Sequence, residues 1–179
     1  NPNISSTSLF KVKILAGKTQ IIFYELSEQK YRKVADHWES YDETIAGFED
    51  TPLLEDLKYS FMALFHAELN EKDLFSNDLV YGERCGFAGT YPEGRYQTIQ
   101  FVKNGNKEEL LKWLKSANSE KQVYAVDGLF QLCKKGTKLT EEELGMIAFV
   151  MHKSGKIRIC SGCIHSKDDI KVILAKFNF

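Results

Sequence analysis

Apolar residues along this chain repeat with two different periods. Phe10, Val12 and Ile14 alternate with Lys11 and Lys13, the period-two pattern of a half-buried strand, and Ala16-Gly17-Lys18 offers a turn into residues 20–26. An N-terminal β-hairpin is therefore expected over residues 9–26. The period then lengthens. With Ser27 as a cap, Tyr31, Val34, Ala35 and Trp38 share one face at helical spacing and predict a first helix of about three turns. Thr51-Pro52 predicts a second start, because the hydroxyl can cap free amides while proline sits where no amide donor is needed. Leu54, Leu57, Phe61, Leu64, Phe65 and Glu68 follow at spacings of three and four, the mark of a core helix.

The back half reads as helices with defined caps. Leu110, Leu114 and Ala117 mark one helix, and Val123, Val126, Phe130 and Cys133 mark the next, with Asn118-Ser119 as the break and cap. Thr140 and Glu143 are placed as a capping box for a helix striped by Leu144, Ile147, Ala148 and Met151. Residues 156–160 alternate like a strand, and Ser166 with Asp169 starts a last helix whose inward face is Ile170, Ile173, Leu174 and Phe177; Val172, Ile173 and Leu174 also read as strand. Between the halves, residues 77–105 lose both periods in favour of glycine and aromatics, the composition of a long loop that is functional or covalently pinned. The expected architecture is a mainly α single domain over residues 1–179: a polar leader at 1–8, the hairpin at 9–26, helices over 27–76, the loop at 77–105, a helical hairpin plus third helix over 106–154, and a C-terminal strand and helix over 155–179.

Residues 107–136, with EELLKWLKSANSEKQVYAVDGLFQLCKKG, resemble the helix-turn-helix unit of HEAT-type α-helical repeats. The resemblance covers a single copy, implies a compact domain containing a HEAT-like hairpin that serves as a protein-binding scaffold, and carries over no catalytic residue.

The formal net charge is -1 over 179 residues, which argues against a dedicated nucleic-acid binder. Charge is nevertheless segregated. Residues 25–78 hold 14 acidic and 5 basic side chains, a local net of -9, whereas residues 151–179 hold 6 basic and 2 acidic, a net of +4. Solvated helix faces account for such asymmetry, and a basic partner on the acidic half is the functional counterpart, with Asp42, Glu43, Glu49 and Asp50 as candidate contacts. No apolar run approaches the length of a membrane span. The chain opens at Asn1 without methionine, and Asn-Pro-Asn-Ile-Ser-Ser-Thr-Ser suits both a frayed end and the segment after a cleaved signal. Four cysteines permit two disulfides, so export to the periplasm or outside the cell is favoured over a cytoplasmic location.

Cys160-Ser161-Gly162-Cys163-Ile164-His165 is the most chemical stretch. A C-x-x-C pair can close a structural turn or a redox disulfide, or supply half of a zinc site with His165 and His152; buried free thiols complete the alternatives. In an exported protein the spacing favours Cys160 bonded to Cys163, while Cys133, on an apolar stripe, and Cys85, in the long loop, form the second candidate bridge. Gly17-Lys18-Thr19 lacks the upstream glycine and following helix of a phosphate-binding loop, and the four histidines form no ligand pair on one helix face. No nucleophile elbow occurs. Tyr81, Phe87 and Tyr91 are candidate interaction anchors in the glycine-rich segment. The leading expectation is a non-enzymatic interaction domain with a protein partner and no cofactor. A C-x-x-C redox or zinc protein, and an inhibitor or immunity-type protein that neutralises a basic partner, are the rivals.

Overall fold

The structure, a computed structural model, describes residues 9–179; the expected leader at 1–8 lies outside them. It is α+β, 42% helical and 30% strand, which corrects the mainly α expectation. Two compact units divide the chain, one through Ser60 and one from Phe61 to Phe179.

The first unit is an antiparallel sheet in the order β1 (Leu9–Ala16), β2 (Ile21–Val34), β3 (His37–Glu49). The hairpin expected at 9–26 is present as β1 and the start of β2, closed by the Gly17 amide donating to Gln20 O at 2.8 Å. The first predicted helix is not. Tyr31, Val34 and Trp38 lie in β2 and β3, which pair from Phe23–Glu49 to Val34–His37 through a two-residue turn at Ala35 and Asp36. Ala35 takes φ 52° there, a conformation normally supplied by glycine or asparagine. The three-and-four spacing of 31, 34, 35 and 38 was a coincidence of a strand, a turn and a strand. Thr51 then opens α1 (Thr51–Phe65) where predicted, but Asp50 rather than the Thr51 hydroxyl accepts the Leu53 amide, and of the expected core face only Leu54 and Phe65 are buried.

The second unit is helical. α2 (Glu71–Phe75) is capped by Asn70, whose side chain accepts the amides of Lys72 and Asp73. α3 (Glu93–Lys103), α4 (Lys107–Leu114), α5 (Ser119–Lys134) and α6 (Glu141–His152) follow, then a hairpin of β4 (Lys156–Ser161) and β5 (Ile164–Asp169) and the short α7 (Ile170–Leu174). Asn118 caps α5 by accepting from the Lys121 amide at 2.9 Å, and the Thr140–Glu143 box is formed in both directions. α5 is the centre: every residue from Gln122 to Leu129 is buried, and Leu110, Leu114, Ile147, Ile157 and Leu174 pack in the same core.

Two sequence boundaries move. α3 occupies part of the expected 77–105 loop, and Gly94 lets it approach α5 so closely that a Cβ there would overlap the Tyr124 ring. Ser166 lies in β5 rather than at a helix start, so the final helix begins at Ile170.

Candidate functional site

Reactive side chains gather where three segments of the second unit run side by side. β4 and β5 are antiparallel, with Cys160 opposite His165 and Ser161 opposite Ile164. Along the other edge of β4 lies the segment from Tyr81 to Cys85. The Tyr81 amide donates to Arg158 O at 2.8 Å, the Cys160 amide to Tyr81 O at 2.8 Å, the Gly162 amide to Arg84 O at 3.2 Å and the Gly86 amide to Gly162 O at 2.7 Å. Gly82 permits this approach, since a Cβ on it would overlap the Cys160 carbonyl.

Cys85 and Cys160 form a disulfide across a separation of 75 residues, with their Cα atoms 5.6 Å apart. His165 Nε2 lies 3.6 Å from Cys160 Sγ and 3.7 Å from Cys85 Sγ. Cys160 is buried, Cys85 half-buried and His165 exposed, so the cluster opens to solvent on the imidazole side. A cleft of about 460 Å³, lined among others by Tyr81, Gly82, Arg84, Asp168 and Lys176, borders Cys160.

Both expected disulfide pairings are corrected. Gly162 (φ 57°) and Cys163 form the two-residue turn of the β4–β5 hairpin, and its register places His165, not Cys163, beside Cys160; Cys163 is free and exposed. Cys133 is also free. It lies nine residues further along α5 than Tyr124, about 13 Å at the helical rise. Tyr124 Oη accepts the Gly82 amide, so Cys85 is held near the Tyr124 end of α5. Burial pushes the Cys133 thiol pKa up, with Lys107 opposing. Of the candidate metal ligands, Cys160 and His165 come together, Cys163 stands outside their cluster, and His152 is engaged through Nδ1 with Ala148 O at 2.8 Å.

The interaction candidates separate in the same way. Tyr81 is a core residue whose hydroxyl donates to Asp127 at 3.0 Å. Tyr91 lies under the Arg84 guanidinium at 4.4 Å. Phe87 is fully exposed, at the tip of the turn bridged by Cys85 and Thr90. The acidic candidates have partners within their own unit: Asp42 with Lys11 at 2.8 Å, Glu43 with Lys30 at 2.5 Å, Glu49 with the Thr51 hydroxyl and Asp50 with the Leu53 amide.

Two features escaped the sequence reading. The first is a buried charge network beside the disulfide: Arg95 meets Asp127 at 2.7 Å, with side chains 2% and 6% exposed, and donates through Nε to Gly82 O. Burial opposes the Arg95 charge, but Asp127 more than compensates and raises its pKa. Burial, then the Asp127 carboxylate, raises Tyr81 above the usual phenol range; burial pushes Tyr124 up to about 12. The second is the apolar face of the N-terminal sheet. Strand pairing aligns Ile14 with Tyr24 and Phe48, and Val12 with Leu26 and Ala46, and Phe10 extends the same side. The opposite face carries Lys11, Lys13, Glu25 and Asp42, joined in salt bridges, together with Leu9, Leu15 and Phe23, while Glu28 and Glu43 border the apolar patch beside Phe10. The alternation of Phe10, Val12 and Ile14 was the available signal.

No protein-family model, no curated protein and no solved structure matches this chain.

Proposed function

We propose that this protein is a non-catalytic interaction module that docks a partner protein on the apolar face of its N-terminal sheet. The observation that carries the reading is the exposure of that face: Phe10 is 53%, Val12 59%, Ile14 56% and Phe48 47% exposed, and the register puts all four on one side. An antiparallel sheet ordinarily buries its apolar face against a second layer, and contiguous apolar patches beyond a few hundred Å² mark interaction surfaces on soluble proteins. The resemblance of residues 107–136 to a HEAT-type unit points the same way. The pairing of Asp42 and Glu43 with lysines of the same sheet argues against a partner chosen by its basic charge. The Cys85–Cys160 disulfide favours an oxidising compartment as the place where the module works, and no described helix is long and apolar enough to cross a membrane.

The test compares the two faces of one strand. A photo-activated cross-linker replacing Val12 is expected to give discrete adducts with another protein chain in the cells that make this one, and the same group replacing Lys11, on the polar face, far fewer. Equal yields from both positions, or adducts of Val12 confined to its own chain, would overturn the reading; adduct mass distinguishes a second copy from a different protein.

A further inference from the structure

The cysteine–histidine cluster has a geometry that a disulfide does not require. Zinc bound to thiolate at about 2.3 Å and to imidazole at about 2.0–2.1 Å, with tetrahedral angles, sets each S···N separation at about 3.6 Å. His165 Nε2 stands 3.6 and 3.7 Å from the two sulfurs. Two thiolates and an imidazole are a soft donor set suited to zinc and unsuited to calcium or magnesium. The two sulfurs must part from bonding distance to about 3.8 Å to share a tetrahedral zinc, a side-chain rotation within a backbone held independently of the sulfur–sulfur bond: the segment 81–86 is tied to 158–162 by four amide hydrogen bonds, and His165 is paired opposite Cys160 in the hairpin.

We propose that reduction of the Cys85–Cys160 disulfide converts this corner into a zinc site with Cys85, Cys160 and His165 as its three protein ligands. A dithiol reductant supplies the step: its two thiols become its own disulfide, and two electrons and two protons pass to Cys85 and Cys160 as thiols. Zinc then binds the thiolates, and both protons leave to solvent. Cys163 lies outside the cluster, and the exposed imidazole side leaves the fourth position to water, the arrangement of an open rather than a closed structural site. The disulfide and the metal are thus mutually exclusive occupants of one place, so the oxidation state of the surroundings selects between them.

The experiment uses the full chain under anaerobic conditions, with Zn²⁺ alone for stoichiometry and Co²⁺ alone for spectra. The reduced protein is expected to bind about one equivalent with thiolate-to-cobalt charge-transfer bands, and the oxidised protein none. Cys133→Ser and Cys163→Ser should bind like the parent, and Cys85→Ser should abolish the bands. His165→Ala retains the disulfide, so its fold is verified before reduction; it should weaken binding at least about a hundredfold, beyond the loss typical of groups that merely orient a ligand. Absence of thiolate bands in the reduced parent, undiminished binding by His165→Ala, loss of metal in Cys163→Ser, or collapse of the helical circular dichroism on reduction would each overturn the inference.

Discussion

The two units of this protein solve the burial problem in opposite ways. In the second, α5 is wrapped on all sides by other helices and by β4, and the buried Arg95 is paired with Asp127. In the first, Ser27 is the one residue of β1, β2 and β3 that is buried among the described residues. Its stability rests on strand pairing and on cross-strand contacts such as the stacked Tyr24 and Phe48 rings, 6.1 Å apart. Core and site are therefore separate properties here. One unit gathers a buried apolar core, and the other has almost none.

That contrast is open to attack by substitution. The largest effect is expected from the staple of the second unit. Cys85→Ser with Cys160→Ser frees a loop of 75 residues and should cost about 4 kcal/mol by the chain-entropy relation. Urea unfolding reports it through Trp113, which packs against Phe101 and Tyr124, in a Trp38→Phe background; a loss below about 1 kcal/mol would show that the core alone holds this unit.

Asp127→Ala comes next. It leaves the buried Arg95 with only the exposed Glu83 carboxylate as its anionic partner and should cost about 3 kcal/mol in the same assay. Arg95→Met combined with Asp127→Leu should recover part of that loss, because an apolar pair of matching volume avoids desolvating two charges even though the Tyr81 hydroxyl loses its acceptor. If the double variant is no better than the single one, Arg95 contributes through its bond to Gly82 O rather than through its charge. The smallest effect belongs to the first unit. Val12→Lys removes an apolar side chain from an exposed position and should change unfolding free energy by no more than about 0.5 kcal/mol while abolishing the partner contact proposed above. A cost comparable to that of Asp127→Ala would mean that Val12 is a core residue and that the contrast between the units is false.

The parts of this fold that could be read from sequence are those whose causes are local. Asn118 and the Thr140–Glu143 box each satisfy amides within four residues, so residue type and spacing suffice, and Thr51-Pro52 marks the start of α1 although Asp50, not Thr51, accepts the amide there. The β2–β3 hairpin was misread because its turn, Ala35-Asp36, lacks glycine and because apolar residues on two strands mimicked a helical stripe. α3 was hidden by the glycines around it, one of which, Gly94, is there for packing against Tyr124 rather than for a turn. The cysteine pairing was beyond local reasoning: C-x-x-C spacing suggests a bond, but the hairpin register turns Cys160 toward a residue 75 positions away. His165 was grouped in sequence with Cys163 and His152, whereas the structure places it beside Cys160 and Cys85, the latter brought in by tertiary pairing alone.

The position of α5 governs how the second unit comes apart. A helix with one face in water can lose a neighbour and survive, but Gln122 through Leu129 are covered in every direction, by α3, α4, α6, α7 and β4. Detaching any of these exposes part of α5, so partial opening is penalised whichever element leaves first. The amides of this helix should consequently exchange with solvent only through global unfolding, and the unit is built to behave as a single cooperative body, with no intermediate in which the disulfide corner survives without the core behind it.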